Sequence, residues 1–193
     1  VLRKLYDWVM ALAAKRHAIW GLAGVSFAES SFFPIPPDVL LVPMVLANRR
    51  SAWRIAGVCT IASVLGGLLG YAIGLWLFDA VGQPLLDFYG SEEKFDTFSE
   101  YYNEWGAWLV GAGGFTPLPY KVITIASGVT KLDIGIFILA SVISRGLRFY
   151  IVAALLWRFG DPIREFLERH MGKLALLLFV LLIAAFLLVK VLV

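Results

Sequence analysis

The stretch ESSFFPIPPD, Glu29 to Asp38, decides how this chain folds. It lies inside an otherwise apolar segment running from His17 to Ala47, and it puts two carboxylates and three prolines where an unbroken helix would be expected. A proline inside a helix removes a backbone donor and clashes with the preceding turn, at a cost of about 3 kcal/mol. A second break reads PLPYK, Pro117 to Lys121. Laying PIPPDVLLVPMVLA (34–47) beside PLPYKVITIASGVT (117–130) places Pro34 on Pro117, Pro36 on Pro119 and Asp38 on Lys121. Nine uncharged residues follow each break, Val39–Ala47 and Val122–Thr130. Nine residues of helix rise only about 13 Å, under half of the roughly 30 Å of bilayer hydrocarbon. Neither piece crosses alone, so each reads as the returning arm of a re-entrant helical hairpin. The triplet ASV at 62–64 recurs at 140–142, in the helix after each hairpin, so the unit of hairpin plus transmembrane helix is used twice.

The rest of the chain fits that unit. Its 193 residues are 60% hydrophobic and 16% charged, with mean hydropathy +0.81, outside the range of soluble domains. Ala56–Phe78 is uncharged and is the clearest spanning segment, and Leu174–Val193 carries only Lys190. Ile134–Trp157 is long enough to span but holds Arg145 and Arg148 in its middle. Residues 1–16 read as an interfacial amphipathic helix of the mature protein, because Asp7 interrupts any signal-like apolar run. A single membrane domain over 1–193 is expected, with repeat 1 at 17–78, an acidic external linker with a surface helix at 79–104, repeat 2 at 105–158 and a last transmembrane helix at 173–193.

A hairpin returns to its own side while the helix after it crosses, so the second hairpin enters from the opposite face. The fold class expected is therefore an all-α integral membrane protein built as an inverted repeat, an architecture of many secondary transporters. Arg3, Lys4, Lys15, Arg16, Arg49, Arg50 and Arg54 surround the base of the first hairpin, and Arg158, Arg164, Arg169 and Lys173 follow the second unit. By the positive-inside rule both clusters are cytoplasmic, which places the N-terminus in the cytoplasm and the linker outside.

Five ionisable residues fall at membrane depth in this reading: Glu29, Asp38, Lys121, Arg145 and Arg148. Facing lipid together they would oppose insertion by on the order of 10 kcal/mol, so they face the bundle interior or a wet cavity. All ionised, they sum to one positive charge, which suits an anionic headgroup. Helix N-termini near Asp38 and Lys121 add backbone donors for phosphate. Two plainer readings stay open: the prolines as simple kinks, and the charges as structural ion pairs. Gly66, Gly70 and Gly74 form a helix-packing face. Trp8, Trp20, Trp53, Trp105 and Trp108 read as interfacial anchors. Cys59, the single cysteine, excludes an internal disulfide, and neither His17 nor His170 has neighbours that would complete a metal set. No cofactor, metal or nucleic-acid partner is expected, and no hydrolase or metalloprotease signature is present, so the chain is not read as an enzyme.

The E-x-x-x-x-P-x-P of Glu29–Pro36, the glycine-spaced helix and the GGFTPLPYK of Gly113–Lys121 resemble the DedA family, also called the VTT or SNARE-associated Golgi domain, in its YqaA-like branch. The resemblance covers about residues 15–160. It implies a bacterial inner-membrane protein with two opposed re-entrant hairpins. It also implies movement of lipid carriers such as undecaprenyl phosphate, linked to proton motive force, and eukaryotic relatives that scramble lipids. Many family members carry an arginine three residues before the second-hairpin proline and another shortly after it. Here the first place is Gly114 and the second is served by Lys121, with Arg145 and Arg148 as candidate replacements. The expected function is a lipid flippase or scramblase for an anionic headgroup, with protons as candidate coupling ion and homo-oligomerisation left open. The alternative is a proton-coupled transporter of small solutes or ions. An intramembrane enzyme and a substrate-free scaffold are weaker readings. The translocation set is Glu29, Pro34, Pro36, Asp38, Thr116, Pro117, Pro119, Lys121, Arg145 and Arg148.

Overall fold

From Ala52 onward only Arg54 interrupts an apolar run that ends near Phe78, and the chain forms one helix there, α3. A computed structural model describes residues 17–32, 36–84, 92–116, 120–160 and 162. The helix expected over 1–16, the span expected over 173–193, and Pro34, Pro117 and Pro119 lie outside the described residues. The elements are α1 (Ala18–Ser31), α2 (Asp38–Ala47), a 3-10 turn (Arg49–Ser51), α3 (Ala52–Leu77) with a π turn (Phe78–Gly82), α4 (Glu92–Phe115), α5 (Tyr120–Val129) and α6 (Ile134–Gly160). No strand occurs among the described residues.

Among the described residues two helices are long and apolar enough to cross a membrane: the continuous stretch Arg49–Ala80, which contains α3, and α6. At 1.5 Å per residue α3 and α6 each measure about 40 Å, beyond the hydrocarbon thickness. By the same measure α2 and α5, of ten residues each, reach only about 15 Å. They begin beside the proline breaks because Pro37, with its fixed φ, caps α2, and because a residue preceding proline resists the helical region.

α4 departs from the expected division of the chain. It runs unbroken from Glu92 through the acidic stretch and on to Phe115, so the surface helix expected within 79–104 and the segment expected to begin repeat 2 at 105 are one helix. Gly106, where the composition changes, costs about 1 kcal/mol of helix propensity, too little to end it. Leu132 fills the space beside it.

α3 is the spine. A Cβ on Gly66 would strike the Phe27 backbone of α1, and one on Gly74 would strike the Ile125 backbone of α5. Between them Gly70 faces both the Thr124 side chain and the Ser30 carbonyl, and Gly128 of α5 rests on the Tyr71 carbonyl. The glycine face thus packs as the four-residue spacing indicated, with a different helix at each end.

α3 and α6 run antiparallel. Trp53 stacks on Tyr150 and meets Trp157 at one end, and Tyr71 packs on Phe137 at the other. Two cores result. One joins α1 and α2 to the first half of α3 and the last half of α6, through Leu22, Leu41, Val45, Ile55, Phe149 and Ala153. The other joins α4 and α5 to the second half of α3 and the first half of α6, through Val110, Tyr120, Tyr71 and Phe137.

Candidate functional site: a paired-charge centre between the helix breaks

The end of α1, the start of α2, the end of α4 and the start of α5 converge on the middle of α6. Arg145 lies there with a side chain 1% exposed. Its Nη2 donates to Glu29 Oε2 at 2.6 Å, and its Nε donates to Ser63 Oγ at 2.6 Å. Ser63 Oγ and Ser30 Oγ are 2.7 Å apart, and Ser30 Oγ donates to Glu29 Oε2 at 3.2 Å. Because Ser63 Oγ already accepts from arginine, its own proton is available to Ser30, whose proton goes to the carboxylate. The four side chains form a closed ring of donors and acceptors. The guanidinium is also sandwiched between the Tyr120 and Phe149 rings, each centroid 4.8 Å from Cζ. A buried cation needs this much satisfaction, since an unpaired charge in low dielectric is expensive.

Arg148, one turn on, makes the second pair. Its Nη2 donates to Asp38 Oδ2 at 2.6 Å and its Nη1 to the Thr116 carbonyl at 3.1 Å. This pair is more open, with side-chain exposures of 18% for Arg148 and 27% for Asp38, against 14% for Glu29. Asp38 occupies the first turn of α2, where the helix dipole favours a carboxylate. Lys121, half-buried in the first turn of α5, has no partner for its ammonium among the described residues. The surplus positive charge in the sum of five therefore falls on Lys121.

Backbone groups freed by the breaks are also met. The Thr116 carbonyl, beside the second break, accepts from Arg148 Nη1. Thr124 Oγ1 of α5 donates to the Ser30 carbonyl of α1 at 3.1 Å, joining the two broken regions directly. Such satisfaction is what irregular backbone requires at membrane depth.

Of the sequence-derived set, Glu29, Asp38, Thr116, Arg145 and Arg148 come together, with Lys121 beside them on α5. Pro36 is exposed ahead of α2. Neither arginine is an open anion clamp, because each already holds a carboxylate. Gly114 shows why no arginine stands at that place: a Cβ there would fall on Ser144 Oγ. Sequence reasoning missed Ser30, Ser63, Tyr120 and Phe149. Ser63 was within reach, being the middle residue of the first ASV triplet, and Tyr120 immediately precedes Lys121 in the second break.

These features define an all-helical membrane protein that keeps charged pairs inside its helix bundle. The VTT domain family model matches residues 35–158, and the chain belongs to that family, the DedA proteins. The matched segment includes Asp38, Lys121, Arg145 and Arg148, whereas Glu29 precedes it. An uncharacterized protein of Haemophilus influenzae is 38% identical over 168 residues, covering 85% of this chain and 87% of its own. An uncharacterized protein of Histophilus somni is 36% identical over 168 residues with the same coverage. The Bacillus subtilis uncharacterized membrane protein YkoX is 27% identical over 126 residues, covering 63% of this chain and 56% of its own. No solved structure matches the chain.

Proposed function

We propose that this protein moves an anionic lipid, a polyprenyl phosphate or a phospholipid, across the bacterial inner membrane. The observation that carries the reading is the charge centre: two ion pairs and a cation without a partner among the described residues, gathered where four helix ends meet. Lys121 offers the arriving phosphate its first contact, and the half-open Arg148–Asp38 pair is the one that exchanges partners. A headgroup that draws Arg148 away leaves the Asp38 carboxylate without its partner, and protons are the candidate coupling ion.

Several features support the finer architecture. Each helix pair, α1 with α2 and α4 with α5, precedes a long helix, the long helices are antiparallel, and the two pairs pack against opposite ends of them. That is the arrangement an inverted repeat of re-entrant hairpins produces. Arg49, beside Gly160, lies with Arg50, Arg54 and Arg158 at one end of the bundle, and this basic cluster supports a cytoplasmic location for that end.

The test is lipid movement in proteoliposomes with headgroup-labelled phosphatidylglycerol, polyprenyl phosphate and phosphatidylcholine. Wild-type protein is expected to equilibrate an anionic lipid. Lys121→Ala and Arg148→Gln are each expected to slow this about tenfold, the worth of one charged hydrogen bond. Lys131→Ala removes an exposed pair with Asp79 and serves as control. An empty-liposome rate for every headgroup would sink the reading. Proton-dependent solute flux without lipid movement would favour the small-solute alternative.

A further inference from the structure

α4 and α6 run side by side in the same direction: Gly106 meets Leu132, Gly114 meets Ser144, and the Thr116 carbonyl meets Arg148. Between them lies a groove of about 410 Å³, within the range of ligand pockets. It is lined by the small residues Ala107, Gly111 and Ala140 and the large Trp108, Leu139 and Ile143. Ser144 closes one end. Arg148 is one helical turn beyond Ser144, and its guanidinium reaches across to the last turn of α4, so the apolar groove ends at the charge centre.

We propose that this groove holds an acyl or prenyl chain of the transported lipid while its headgroup occupies the charge centre. The inference rests on the transport reading and adds a tail subsite to it. The occupant follows from polarity. A ligand lying along this path meets apolar side chains for about two turns of α6 and then Arg148, which is the polarity of an anionic amphiphile. Solute transport would have no use for the apolar part.

Gly111 gives a clean probe. A Cβ there has no atom within 4 Å, so a side chain at this position starts from open space on the groove lining. Gly24 on α1 is equally open but lies outside the groove, and serves as control.

The experiment uses the full chain in nanodiscs with phosphatidylglycerol or phosphatidylcholine carrying the same diazirine-tagged chain, with adducts mapped by mass spectrometry. With phosphatidylglycerol, adducts on Trp108, Leu139 and Ile143 are expected to exceed those on the exposed Ile61 and Leu65 of α3 by about fivefold or more. Gly111→Phe is expected to bring them down to the α3 level, and Gly24→Phe to leave them unchanged, both variants keeping the wild-type melting profile. Uniform labelling of all exposed helix faces overturns the proposal. So does a photoreactive residue at position 143 that captures residues 174–193, or a second copy, in place of lipid. Equal groove labelling by both lipids upholds the tail subsite and defeats only the anionic selectivity of the transport reading.

Discussion

Glu29 stands in the last turn of α1, where the helix carbonyls already present negative charge. A carboxylate there is disfavoured until a cation arrives, and Arg145 is that cation. The pair is interdependent: Arg145→Met strands Glu29 and is expected to cost about 3–5 kcal/mol, the usual penalty for breaking a buried pair. Glu29→Gln combined with Arg145→Met is expected to recover most of that loss, because no charge remains unpaired. Thermal unfolding in detergent of the wild type, both single variants and the double variant reads this coupling directly. Additive losses would show that the two side chains do not act as a pair. Lys121→Ala is expected to leave the melting profile unchanged, since its ammonium has no described partner to lose. Much of this was legible in the residue types, because five ionisable groups in an apolar chain must find one another or water. Which arginine takes which carboxylate was not legible, as it depends on contacts between residues more than a hundred positions apart.

Among the elements, α3 has the least freedom. Backbone lies against backbone at Gly66 and Gly74, so no side-chain motion makes room for a larger residue. Gly66→Leu and Gly74→Leu are expected to destabilise by about 1–3 kcal/mol or more, each displacing a different short helix. Gly21→Leu, with open space around its Cβ, is expected to be neutral. A matching loss of melting temperature in all three would contradict this packing. The same helix shows where sequence reading succeeds. Glycines four apart mark a close face whatever lies opposite, and prolines end helices through local sterics, so α2 and α5 began where expected. α4 was divided in the reading because its composition changes from acidic to apolar near Trp105. Composition marks a change of surroundings, whereas a helix ends only where backbone geometry or bonding demands it.

For the whole molecule, the proposed opposed entry of the two helix pairs has a direct readout. In a Cys59→Ala background, Asn48→Cys is expected to react with an impermeant maleimide only when the cytoplasmic face is open to reagent. Lys131→Cys is expected to react from the outside of intact cells. Both positions are exposed, at the far ends of α2 and α5. Labelling of both from one side would remove the inverted arrangement and with it the transport proposal's geometry.

The sharing of both long helices between the two cores has a consequence for biosynthesis. The core around α1 and α2 needs Phe149, Ala153 and Leu156, and Glu29 needs an arginine 116 residues downstream. At ribosomal rates of about 5–20 residues per second, that arginine is made on the order of ten seconds after Glu29. Through this interval the first half enters the bilayer with its carboxylates unmatched and one wall of its core missing. The nascent chain must be sheltered by the insertion machinery, or held shallow at the interface, until α6 emerges. A chain truncated before Arg145 is then expected to be a substrate for membrane proteolysis, with turnover falling once synthesis extends past Leu156. Pulse-chase of nested truncations measures that step.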